Sequence, residues 1–271
     1  MQVKQISWFS EHYYRIDLDN EGQVYLPSVT TKLSAVGAPF LAKWRGDIGN
    51  ELADKRLKES QQKGSSIHKA FETYVKGGEV FVNLNGEYDN EPEVIDAHPR
   101  YFIEDQDEAL AFWRLVQFVK AVKPTILESE RMVYSLKFRE AGTTDGVISI
   151  KSGTYEVNGS KPLSLPEGLY VVDIKSGKSV SDTAFLQMSA YAKMLEEMGL
   201  YKDLAGALVL HTGSQNRKGI EGFATHYISR GEIDDFYKVY RHASAIWEWQ
   251  NKYGLNFKPR VFNLPTRYMF K

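Results

Sequence analysis

The chain has 271 residues, of which 42% are hydrophobic and 25% charged, with a formal net charge of −1. That balance excludes disordered and collagen-like classes, argues against a general nucleic-acid coat protein, and leaves enough chain to bury a substantial core. There is no cysteine, which removes disulfides, cysteine-ligated zinc, iron–sulfur clusters and thiol nucleophiles from consideration.

The opening, MQVKQISWFSEHYYRID, is polar and charged and unlike a signal peptide. No run approaches the about 18 apolar residues of a membrane span. A cytoplasmic protein with no membrane partner is expected. Tyr13, Ile16, Leu18, Val24 and Tyr25 read as a hairpin turning at Asn20-Glu21-Gly22. A helical stretch with Leu33, Phe40, Leu41 and Trp44 follows, then a helix through Ile48, Leu52 and Leu57 that stops near Gly64. A third helix starts at the N-cap candidates Ser65 or Ser66 and runs to Val75 before Gly77-Gly78.

Residues 1–110 carry 12 Lys+Arg against 19 Asp+Glu, and the rest 22 against 16. Nine of the early acids lie between Glu87 and Glu108, read as a solvated acidic loop. An apolar helix from Leu110 to Val119 ends before Pro124, after which the period changes to strands: Met132–Phe138, Thr143–Lys151 and Leu169–Ile174. A helix over Asp182–Met198, strands over Ala205–His211 and Gly222–Ser229, and a helix over Ile233–Gln250 complete the chain. The order implies one mixed α/β domain over residues 1–271: an N-terminal helical layer and acidic loop (1–125) around a core with a closing helix (126–271).

Chemistry concentrates at Asp173-Ile174-Lys175, which ends the apolar strand Leu169–Val172. Residues two apart on a strand project to the same side, so Asp173 and Lys175 form one acid–lysine pair at the strand's carboxyl end. A carboxylate that holds a divalent metal beside a lysine that orients water suits phosphodiester hydrolysis. Alone, the pair reads as a surface ion pair on a strand end. Asp145, in Gly142-Thr143-Thr144-Asp145-Gly146, adds a second acid on the neighbouring strand, an arrangement that calls for a neutralising cation. Glu128 or Glu130 offers a third. Gln187 and Tyr191, at i and i+4, share one face of the following helix. His68, in Gly64-Ser65-Ser66-Ile67-His68, is a candidate ligand on its own helix.

The order GSSIH, SERMVY, GTTDG, VVDIKSGK, QMSAY across residues 64–191 resembles the RecB-like branch of the PD-(D/E)XK nuclease superfamily. The resemblance implies a restriction-endonuclease-like α/β fold, a mixed β-sheet flanked by helices, and a magnesium- or manganese-dependent deoxyribonuclease. It implies that His68, Asp145, Asp173 and the Ile174 carbonyl hold the metal, and that Glu130, favoured by its register with Val133, touches the metal or its water. Lys175 would position the water; Gln187 and Tyr191 would organise the lysine and the nucleic-acid backbone, with Ser66 and Lys178 as further backbone contacts. The cysteine-free chain departs from the members with iron–sulfur clusters. Ser176-Gly177-Lys178-Ser179 is half of a phosphate-binding loop, but Val172 stands where its first glycine belongs, so nucleotide binding is not expected.

The expected activity is exonucleolytic cleavage of DNA from single-stranded or frayed ends in recombination, repair or phage DNA metabolism. A recombination or single-strand-binding protein is a further possible partner. Lys43, Arg45, Lys55, Arg56, Lys58, Lys63 and Lys69 place positive charge along the helical layer, where Trp44, Phe71 and Tyr74 either stack on bases or pack the helices. A structure-selective endonuclease and a catalytically silent DNA-binding scaffold remain alternatives.

Overall fold

The computed structural model describes residues 2–8, 11–18, 22–37, 39–85, 99–157, 161–215 and 221–252. Strands β1 (Gln2–Trp8), β2 (Glu11–Leu18) and β3 (Gly22–Pro27) form an antiparallel sheet in that order. The β2–β3 pair is the expected hairpin, in register from Tyr13↔Pro27 to Leu18↔Gly22; its turn lies outside the described residues. Ser28 caps the short helix α1 (Val29–Leu33), its Oγ accepting the Thr31 N–H at 2.9 Å. A 3₁₀ turn (Ser34–Val36) and α2 (Pro39–Ile48) lead to α3 (Asn50–Val75).

The two helices expected on either side of Gly64 are one, the 26-residue α3. Ser65 and Ser66 therefore sit mid-helix rather than at an N-cap. Their hydroxyls are absorbed without breaking the ladder: Ser65 Oγ donates to the Gln61 carbonyl at 3.0 Å, and Ser66 Oγ donates to Glu108 on the neighbouring helix. Strands β4 (Glu79–Val82) and β5 (Arg100–Ile103) pair in parallel. Residues 86–98 lie outside the description, but the end of the acidic stretch is no loop. Asp105 caps α4 (Gln106–Val122), accepting from the Asp107 and Glu108 amides at 3.0 and 3.1 Å, and acids in a first helical turn oppose the helix dipole favourably.

The remaining elements are β6 (Thr125–Ser135), β7 (Glu140–Ile150), the small hairpin β8 (Gly153–Tyr155) and β9 (Leu163–Leu165), β10 (Gly168–Lys175), α5 (Asp182–Glu197), β11 (Gly206–Gln215), β12 (Glu221–Ser229) and α6 (Arg230–Gln250). The central five-stranded sheet runs β12-β11-β10-β7-β6, with β10 and β11 parallel and the other pairs antiparallel. The fold is a mixed α/β sheet flanked by helices. Alternation along β10 assigns its faces. Val171 packs with Val147, Val209 and α5–α6, while Tyr170, Val172 and Ile174 pack with Ile67 of α3 and Leu115 and Phe118 of α4. β6 starts directly after Pro124, seven residues before the expected Met132, so Glu128 and Glu130 lie inside a strand.

A buried ion network joins the N-terminal layer to the closing helix. Lys32 is fully buried, and its Nζ reaches the Phe138 carbonyl, Glu140, Ser244 and Glu248 at 2.8, 3.1, 3.1 and 2.7 Å. Glu140, equally buried, also accepts from Tyr240 at 2.9 Å and Arg241 at 3.2 Å. Among the described residues, no helix is long and apolar enough to cross a membrane.

Candidate active site

The carboxyl end of β10 lies between α3 and α5, and three neighbouring strands bring acids to it. The β10–β7 register ends at Val172↔Gly146, which sets Asp173 beside Asp145 one step on. On the other side of β7, Ser129↔Gly146 and Arg131↔Thr144 bracket Glu130 opposite Asp145. Glu130 has φ +54° in mid-strand. A left-handed conformation at a residue with a Cβ costs about 1–3 kcal/mol and gathers at functional sites. The neighbouring Glu128 turns away, accepting from Tyr201 at 3.2 Å and pairing with Arg131 at 3.5 Å. Of the two candidate glutamates, Glu130 is the one that joins the cluster.

From α3, His68 closes the group. Its Nδ1 lies 3.1 Å from Asp145 Oδ1 and its Nε2 3.1 Å from the Ile174 carbonyl, while Asp145 Oδ2 accepts the Ile174 N–H at 2.6 Å. Candidate ligand atoms of His68, Glu130 and Asp145 all fall within 4.8 Å of one another. Asp173 faces Lys175 instead: Nζ is 2.8 Å from Asp173 Oδ2 and 3.1 Å from Oδ1. From α5, Gln187 brackets this pair, with Oε1 3.4 Å from Lys175 Nζ and Nε2 3.5 Å from Asp173 and 3.0 Å from the Tyr191 hydroxyl.

The electrostatics are those of crowded acids in a place poor in water. Burial pushes the Glu130 carboxyl up to about 7, and the Asp145 charge adds to the effect. Burial works against a charge on His68, but Asp145, then Asp173 and Glu130, hold its imidazolium up to about 9. Asp145 stays below the ordinary carboxylate range because His68, Lys175 and the Ile174 N–H outweigh its burial. Asp173 is raised, by burial and by Asp145 against the pull of Lys175. Lys175 is raised because Asp173 and Asp145 outweigh its burial. The donor set fits a divalent cation: the two carboxylates and the backbone carbonyl are hard oxygen donors, and His68, whose ring nitrogens lie against Asp145 and the Ile174 carbonyl, would add a softer imidazole nitrogen on giving up a proton.

A pH dependence follows from Glu130. Its folded-state pKa is raised, so the unfolded chain releases this proton first. Stability is then lost as pH rises from the unfolded value near 4.5 to about 7. In EDTA, Glu130→Gln should lose less Tm than the wild type between pH 5 and 7.5, by thermal denaturation. Equal losses would contradict this placement of the charge.

Three residues expected to contact the nucleic-acid backbone lie behind or beside this cluster. Tyr191 is 3% exposed, its ring covers Gly142 so closely that a Cβ there would lie 2.3 Å from it, and its hydroxyl accepts from Gln187 at 3.0 Å, which places it behind Gln187 as seen from Lys175. Ser66, two residues from His68, lies nearly opposite it around α3 and holds Tyr101 and Glu108. Lys178 lines a separate cleft, with Lys63 and Arg114. Of the aromatic candidates, Tyr74 packs edge-on against Phe112 at 5.8 Å, and Phe71 packs on the core. The open cleft of about 620 Å³ over the cluster is lined by His68 and Glu130 with His12, Gln61, Lys69 and Glu72. Nothing in the motifs marks His12 or Gln61. They arrive through the β2 hairpin and through the continuity of α3.

No family model matches the chain, and no curated protein matches it. Among solved structures it is similar to the crystal structure of a "Putative exonuclease" from Eubacterium rectale, at 10% identity and TM-score 0.42, over 83% of this chain and 81% of that one.

Proposed function

We propose that this protein is a metal-dependent nuclease, of the RecB-like PD-(D/E)XK kind that its motif order resembles, cutting DNA from single-stranded or frayed ends. The observation that carries the reading is the convergence of His68, Glu130 and Asp145 within 4.8 Å beside the Asp173–Lys175 pair. Five separated motifs meet at one strand end, which structural ion pairs on their own do not require. His68, Glu130, Asp145 and the Ile174 carbonyl would hold Mg²⁺ or Mn²⁺, which supplies charge neutralisation and an activated water. Asp173 borders the set and keeps the Lys175 ammonium fixed. Lys175 then orients the nucleophile and stabilises charge on the phosphate oxygens. Gln187 positions Lys175, and buried Tyr191 positions Gln187. The open cleft lined by Lys69, Gln61 and His12 would take the strand.

The test uses 5′-labelled and 3′-labelled linear single strands and a closed single-stranded circle, each with Mg²⁺, Mn²⁺ or EDTA. Shortening of the linear strands alone, abolished by EDTA, is the expected result, and the label lost first gives the polarity. Cutting of the circle would replace the exonuclease with an endonuclease; no cleavage with either metal would overturn the nuclease reading.

A further inference from the structure

A second cleft of about 220 Å³ adjoins the first across α3. Its walls are Lys63 and Ile67 of α3, Arg114 of α4, the Ser176–Lys178 loop that leaves β10, and Thr212 and Gly213 of β11. The clefts meet at Gly64, where a Cβ would lie 3.6 Å from Ser176 Oγ.

This cleft has polar groups in excess of what the fold uses. Arg114 is only 8% exposed, and among the described residues its guanidinium donates to one protein acceptor, the Thr212 carbonyl, through Nη1. A guanidinium has five N–H donors, and none of the others on Arg114 is a buried atom without a partner, so they are open to a group entering the cleft. Thr212 is fully buried, and among the described residues its Oγ1 has no hydrogen-bond partner. The two acids in the wall are already engaged: Asp107 pairs with Lys63 at 3.0 Å, and Glu108 accepts from Ser66. Among the described residues, neither Arg114 nor Lys178 has a carboxylate partner within 4.0 Å. What remains unspent is a forked cation, an ammonium and two hydroxyls, those of Thr212 and Ser176, a donor set suited to a phosphate.

We propose that the cleft bounded by Arg114, Thr212, Ser176 and Lys178 binds a phosphate group of the nucleic-acid strand whose cleavage site lies on the other side of α3. The proposal rests on the nuclease reading for the source of the phosphate, but not for the existence of the site. Occupancy would fix the strand relative to Lys175, since the loop bearing Ser176 and Lys178 continues directly from it.

The test is made in EDTA, where nothing is cut. Inorganic phosphate, with chloride and acetate as controls, is titrated into the wild type, Thr212→Val, Arg114→Lys and Lys178→Ala while thermal unfolding is followed. Short single strands bearing a 5′-phosphate, a 3′-phosphate or hydroxyl ends are then titrated by fluorescence anisotropy. Phosphate should raise the wild-type Tm where chloride and acetate do not. Thr212→Val should fold with an undiminished Tm, because the hydroxyl it removes has no partner among the described residues, yet bind phosphate about tenfold more weakly. Lys178→Ala, at an exposed site, gives the same reading free of folding effects. Stronger binding of one phosphorylated end identifies a terminal phosphate as the ligand; equal binding of all ends, weakened by the variants, identifies a backbone phosphate. An effect of phosphate no larger than that of acetate, or one unchanged in all three variants, overturns the proposal. Phosphate binding without cleavage under any metal would instead sink the nuclease reading and leave this site standing.

Discussion

Lys175→Ala should lower the rate of DNA cleavage by about 10²–10³-fold, the usual effect of removing one preorganised stabiliser of transition-state charge. Lys175 is held by Asp173 at 2.8 Å and by Gln187 at 3.4 Å, at the end of a strand whose core face is closed. Its ammonium has no lone pair to offer a metal, so its loss should leave affinity for Mn²⁺ unchanged or tighter, since a positive charge beside the acids has gone. Single-turnover cleavage with saturating Mn²⁺, together with a Mn²⁺ titration, separates the two effects. Gln187→Ala should give a smaller loss of the same kind, because the lysine then keeps its charge but not its orientation. Unchanged cleavage in Lys175→Ala, or loss of metal affinity in place of rate, would contradict the role assigned to it.

The second large effect is on stability. Lys32→Ala should cost about 3–5 kcal/mol, because it strands Glu140 as a buried charge with only Arg241 and Tyr240 for support. Burial pushes the Glu140 carboxyl up against the opposing pull of Lys32, Tyr240 and Arg241. The double replacement Lys32→Met with Glu140→Leu should recover most of the loss, since a packed apolar pair has no charge to desolvate. Urea unfolding of the three variants measures this. A loss below about 1 kcal/mol in Lys32→Ala would mean that water reaches the network.

Much of the fold was legible because its signals are local. The five strands of the central sheet, the apolar α4 and the Asp182 start of α5 all follow from periodicity, caps and breakers. The errors arose where tertiary contacts override local preference. Gly64-Ser65-Ser66 carries the signature of a helix boundary, but α3 packs on α4 through it, and the Gln61 carbonyl and the Glu108 carboxylate take up the two hydroxyls. β4 and β5 have four residues each and β1 lies in a mostly polar stretch, and all three become strands through pairing that no local pattern announces. At the site, Asp145, Asp173, Lys175, His68, Glu130 and Gln187 stand out as residue types in order, so their convergence could be anticipated. The burial of Tyr191 and the turn of Ser66 toward Glu108 could not, because they depend on how the helices rotate about their axes, and the positive φ of Glu130 could not, because it is a local departure within the β6 strand. Asp173, expected as a principal ligand, lies against Lys175 and beside the three-residue cluster.

The central claim is that His68, Glu130 and Asp145 form one divalent-cation site. Calorimetric titration of Mn²⁺ into the metal-free wild type and into Asp145→Asn and His68→Ala tests it most directly. The account predicts saturable binding by the wild type and at least about tenfold weaker binding by each variant, a change of about 1.4 kcal/mol. Mn²⁺ binding that persists at wild-type strength in both variants would place the metal elsewhere and contradict the account.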